Sequence, residues 1–118
     1  MIDSHFEERL QAVGVDTATA IARFAGNAAL YAKFLSKFPQ DPNFADLESA
    51  LHEHDVEKAI RCAHTLKGVC GNLGMDTLFR GFSEMVSHLR GDEFERAETL
   101  FPRIAENYAA VCTAIAES

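Results

Sequence analysis

The sequence predicts an all-α protein: an antiparallel four-helix bundle with additional short N-terminal helices packed across one end. Three observations carry this expectation. Capping residues, glycines and prolines punctuate the chain at regular intervals. Between them apolar residues recur at helical spacing, and no run alternates as a half-buried strand does. The connections are two to five residues long, the length that joins antiparallel helical neighbours.

Asp3 or Ser4 caps a lead-in helix to about Val13, which Gly14 ends. Asp16 opens a helix over 17–25, with Ala20, Ile21 and Phe24 at helical spacing and Gly26 as its stop. Asn27 caps a helix over 28–38, where Leu30, Phe34, Leu35 and Phe38 form an apolar stripe. With Pro39 and Pro42 the stretch 38–42 cannot continue a helix and reads as a turn or linker. Asn43 starts a helix to about His52 or His54, and Asp55 opens the longest pattern, which runs to Gly74. Asp76 is expected to cap a helix that Gly91 stops after Arg90. Asp92 and Glu95 have capping-box spacing at the start of the last helix, which Pro102 should kink or divide. The expectation is a single domain over residues 1–118, with the N-terminal helices in 1–42 and the bundle body in 43–118.

A chain of 118 residues holds one such domain, and 47% hydrophobic residues suffice for a core. Eleven Lys and Arg against eighteen Asp and Glu give a net charge of −7. That balance lacks the basic footprint of a nucleic-acid binder, disfavours an anionic membrane surface and suits a monomer. A complete ATP-dependent kinase or dinucleotide-binding enzyme does not fit beside its own core, so any chemistry here depends on a partner. The opening residues are acidic, without the apolar core of a secretory signal. No stretch approaches a membrane span. Three cysteines fit a reducing compartment better than a disulfide framework, so the cytoplasm is the expected location. Cys62 and Cys70, eight apart on one helix, stand about 12 Å apart along its axis, too far to bridge.

The informative segment is the 55–74 helix. At about 100° per residue, Ala59, Cys62, Ala63, Leu66, Val69, Cys70 and Leu73 share one face. His64 points away from it, surrounded by Glu57, Ile60, Arg61, Lys67, Gly68 and Gly71. A glycine inside a helix is about 1 kcal/mol less favourable than alanine. Gly68 and Gly71 therefore read as a flattening of the surface that lets a large partner reach the imidazole. The bland alternatives are a helix break or close packing of a neighbouring helix, and a place on the polar side weighs against packing. Lys67 lies one turn from His64. Alone it is a solvated lysine; beside an imidazole it is a point charge able to hold an anion. Imidazole near neutral pH is a competent nucleophile, and a phosphoryl group placed on it is anionic.

Ala63-His64-Thr65-Leu66-Lys67-Gly68, followed by Gly71-Asn72-Leu73-Gly74, resembles the signature of histidine-containing phosphotransfer (HPt) domains, the carriers of multistep phosphorelays. The entry Ala25-Gly26-Asn27, the aromatic-rich helix through Leu35 and Phe38, the Asp55 start and Glu84 are similar too, most securely over 15–90. The resemblance implies a four-helix bundle with His64 as the phosphorylated residue and no ATP site. Phosphoryl would come from the phospho-aspartate of a receiver domain and pass to another receiver. Receiver domains and a hybrid sensor histidine kinase are the implied partners. The implied cofactor is Mg2+ on the receiver, with none bound by this chain. The family's lysine falls on Lys67, and the small residue that leaves room for docking falls on Gly68, with Gly71, Ile60 and Arg61 completing the docking surface. Cys70 departs from the pattern, since Ala or Ser is commoner there, and it reads as a small core residue. Glu84 matches loosely and takes no role.

Other constellations are weaker. His52 and His54 diverge by about 200° on a helix and cannot chelate together. His5 and His88 stand alone among polar neighbours, so no metal site is expected. Cys62 and Cys70 face the core without a basic activator, and Glu57 and Glu84 form no evident acid–base pair. Arg80 with Ser83 or Ser87 is expected at the rim of the surface around His64. The competing reading is a helical adaptor without chemistry, which uses the glycine-flattened surface only for docking.

Overall fold

Side-chain caps set the helix starts in the computed structural model, which describes residues 2–117. The Asp3 carboxylate accepts from the Phe6 amide at the head of α1 (Ser4–Ala12), and Asp16 accepts from Thr19 at α2 (Thr17–Arg23). Asn27 does the same for Leu30 at α3 (Ala28–Lys37). Of the two readings of 38–42 the turn is found: Phe38–Gln40 is a 3-10 turn with Pro39 inside it. α4 (Asn43–His52) follows Pro42 with no side-chain cap, and Asp55 caps α5 (Val56–Asn72) through the Lys58 amide. The last two helices are α6 (Asp76–Arg90) and α7 (Phe94–Ala116). Among the described residues no helix is long and apolar enough to cross a membrane.

Three local expectations are corrected, and of the two alternatives for Pro102 division falls away. α2 stops at Arg23, because Ala25 and Gly26 both take positive φ and reverse the chain. Asp76 lies in the first turn of α6 instead of capping it; Met75 holds the cap position. Its charge still sits at the positive end of the helix dipole. The Asp92–Glu95 capping box does not form, since Asp92 adopts φ +61° and Glu93 takes the cap position. Pro102 does not divide α7, which runs unbroken from Phe94 to Ala116. Proline removes one hydrogen bond there, while Ala97, Ile104, Tyr108 and Val111 bury the helix on both sides of it.

Packing follows the apolar stripes. α4 lies on α5, α5 on α6, and α6 on α7. α6 contributes Leu78, Phe82, Met85, Val86 and Leu89 to the core. Aromatic contacts bring α7 back to α4: Phe44 stacks on Tyr108 at 3.8 Å between ring centroids and on Phe101 at 5.4 Å. The three N-terminal helices are tied by polar contacts to α7 and to the α5–α6 turn. The Arg9 guanidinium donates to Glu117 O (2.8 Å) and the Asn107 amide to Val13 O (3.2 Å), holding α1 on α7. The Tyr31 hydroxyl donates to Leu73 O (2.8 Å) and the Asp16 amide to Gly74 O (2.7 Å). Buried Tyr31 thus satisfies its one polar group at the end of α5. Only half of the stripe foreseen for this segment is buried: Leu35 in α3 and Phe38 just after it face inward, together with Tyr31, which the stripe did not include, whereas Leu30 and Phe34 are exposed.

The turn after α5 requires its glycine. Gly74 has φ +72°, and a Cβ there would lie 2.5 Å from Asp16 O and 2.9 Å from Ala20 Cβ. Gly74→Ala is expected to cost about 1–3 kcal/mol from backbone strain alone, lowering the urea midpoint, with the clash against α2 adding to it. An unchanged midpoint would contradict this turn geometry.

Candidate functional site

Burial of one face of α5 decides what the other presents. Ala59, Cys62, Ala63, Leu66 and Cys70 are all buried. Ala59 and Ala63 are fully covered, so the helix lies close against its neighbours on that side. His64 is consequently exposed. The nearby side-chain bond, Thr65 Oγ1 to Arg61 O (3.0 Å), stays within the helix and leaves the imidazole free. Ile60 is half-buried and Arg61 exposed, both one turn before His64 along the same surface.

The two glycines prove different. A Cβ on Gly68 would meet nothing within 4 Å, so the ground beside His64 is open. A Cβ on Gly71 would lie 3.2 Å from Cδ1 and Cε1 of Phe79. Gly71 is thus covered by a ring from α6, and close packing, weighed against from sequence, is what this glycine permits. Its carbonyl also accepts a hydrogen bond from the Arg23 guanidinium at the end of α2. Lys67 is half-buried, its ammonium 5.9 Å from the centroid of the same Phe79 ring. Arg23, Gly68, Gly71, Asp76 and Phe79 line an open cavity of about 360 Å³ beside the exposed stripe.

Sequence reasoning missed Arg23 and Phe79. Phe79 carries a readable signal, because it stands three residues before Phe82 and seven before Val86, at the edge of the apolar stripe of α6. Arg23 carries none, since its place depends on how α2 folds back on the end of α5. The expected rim residues separate. Ser83 Oγ donates to Phe79 O (2.7 Å), and Ser87 is exposed. Arg80 instead lines a cavity of about 300 Å³ between α6 and α7, with Glu84, Arg103 and Ile104.

The remaining reactive groups are occupied elsewhere. Cys62 and Cys70 are free thiols inside the core, and burial raises the pKa of both, which disfavours thiolate. His88 does not stand alone: its Nδ1 lies 3.0 Å from Glu93 Oε1, and that contact holds the Glu93 carboxyl below the usual carboxylate range. His54 leaves the helix at φ +57° and stacks on Phe94 at 3.7 Å.

The arrangement around His64 is an unobstructed imidazole, an ammonium one turn away and open helix surface at Gly68. It suits an acceptor of a group delivered by a second macromolecule. Comparison with curated proteins gives no match, and comparison with solved structures gives none either. A family model described as "Hpt domain" matches residues 29–114, from α3 through nearly all of α7 with the whole of α5 inside it. The chain therefore belongs to the Hpt domain family, whose role is histidine phosphotransfer in phosphorelays.

Proposed function

We propose that His64 is the phosphoryl acceptor of this domain, and that α4–α7 form the four-helix bundle that presents it. The observation that carries the reading is the exposed imidazole beside open ground at Gly68. In the forward step a lone pair of the imidazole attacks the phosphorus of a receiver's aspartyl phosphate. An N–P bond forms, the P–O bond to the aspartate breaks, and the carboxylate leaves with that electron pair. The imidazole proton passes to solvent. A second receiver then takes the phosphoryl group by the reverse chemistry. Mg2+ bound by the receiver offsets charge on the transferring oxygens, and Lys67 supplies a further positive charge from this chain.

The division of labour follows from size. The chain contributes a nucleophile, a cation and a surface, while the receiver contributes the metal and most of the electrostatic stabilisation. Gly68, Ile60 and Arg61 form the docking ground next to His64, with Gly71 contributing through the ring it admits. The partners are receiver domains, one of them on a hybrid sensor kinase. The domain acts as a monomer in the cytoplasm, consistent with its net charge and its free cysteines.

His64→Gln should abolish phosphoryl acceptance while the melting temperature stays nearly unchanged. Substitution of His5, His52, His54 or His88 should leave labelling intact. Retained labelling of the His64 variant would overturn the site. A folded wild-type chain that binds receivers and never becomes labelled would instead be an adaptor.

Gly68→Ala should hold or raise stability by up to about 1 kcal/mol, because the added Cβ meets only solvent and alanine is the better helix former. Receiver-dependent transfer should nevertheless fall, more severely for Gly68→Gln, while labelling by phosphoramidate changes little. Destabilisation in step with lost transfer would show that Gly68 serves the fold and not docking.

A further inference from the structure

Phe79 has no role in the core of α6. Its neighbours in the apolar pattern are buried, whereas Phe79 is 37% exposed. What it touches accounts for its place. One edge of the ring lies over Gly71, so close that a Cβ there would be 3.2 Å from two ring carbons. Lys67 Nζ lies 5.9 Å from the ring centroid, within the range of a cation–π attraction. The ring is seated on a glycine of α5 and lies beside the lysine one turn after His64. Ser83 Oγ, bonded to Phe79 O at 2.7 Å, occupies the next turn of α6.

We propose that Phe79 is a positioning residue for Lys67: seated on Gly71, its ring holds the lysine side chain along the exposed stripe, ready to meet a phosphoryl group on His64. The inference rests on the roles proposed above for His64 and Lys67. A lysine free in solvent loses most of its rotamer freedom when it engages an anion, and a ring that already restricts it reduces that loss. The attraction at an exposed ring is weak, so it restrains the ammonium without competing with a dianionic phosphoryl group. Gly71 then has a defined function, since even a Cβ there, 3.2 Å from two ring carbons, would press on the ring. Leucine in place of Phe79 keeps apolar cover over Gly71 and removes the π face; tyrosine keeps both.

The test uses phosphoramidate as donor, so that no docking partner enters. Its phosphorus forms a bond to the His64 nitrogen while its own P–N bond breaks and ammonia leaves. The lifetime of the phosphorylated chain is then measured for wild type, Phe79→Leu, Phe79→Tyr, Lys67→Ala and the Phe79→Leu/Lys67→Ala pair. Phe79→Leu should shorten the lifetime about two- to fivefold, the range expected for one exposed cation–π contact. Phe79→Tyr should match wild type. In the Lys67→Ala background, Phe79→Leu should have no additional effect. A wild-type lifetime for Phe79→Leu overturns the proposal, as does an equal loss in both backgrounds, which would mark a structural role. A Tyr variant as short-lived as the Leu variant also overturns it. If wild type takes no phosphoryl at His64, the reading of the site itself fails, an outcome distinct from all of these.

Discussion

The structure depends on the burial of one face of α5. Small residues at Ala59 and Ala63 let α5 lie close to its neighbours, while Cys62, Leu66 and Cys70 fill the space between helices. With that face fixed, a helix at about 100° per residue has no freedom in where position 64 points. The imidazole is outward because its opposite side is the core. Asp55 fixes where the helix begins, and the Gly74 turn, held against Asp16, fixes where it ends. The N-terminal helices therefore secure the end of α5 beyond the stripe that carries His64, through the bonds of Tyr31 and Asp16.

Glycine serves three ends along this one segment. At Gly68 the missing side chain leaves open surface, at Gly71 it admits an aromatic ring, and at Gly74 it permits a left-handed backbone against a neighbouring carbonyl. These uses predict opposite responses to the same chemical change. Helix propensity favours alanine at Gly68; at Gly71 the Phe79 ring would have to give by a few tenths of an ångström, and at Gly74 the backbone conformation opposes it. A glycine count says nothing of this. The environment of each Cβ decides it.

Much of the fold was legible from caps and periodicity. Asp3, Asp16, Asn27 and Asp55 each start a helix where their residue type says they should, because a cap is a local interaction between residues three apart. The failures also have local causes. Asp92 and Asp76 have capping chemistry, yet the backbone around them places other residues at the cap. Pro102 is tolerated because burial on either side of it outweighs one lost hydrogen bond. At the site, periodicity sufficed to group His64 with Lys67, Gly68 and Gly71, since all lie on one helix. It did not reach Phe79 or Arg23, which arrive from α6 and α2 and depend on how three helices meet. Nor did it separate the glycines, because that requires knowing what stands opposite each one.

The role proposed for His64 is to carry phosphoryl on a nitrogen of its imidazole. The most direct measurement is to mix the chain with a phosphorylated receiver, separate the two, and map the phosphate by its chemical stability and by fragmentation mass spectrometry. The expected result is one phosphoryl group per chain, labile in acid and stable in base, on the peptide that contains His64. Phosphate on another residue, or a base-labile acyl phosphate on an Asp or Glu, would contradict it.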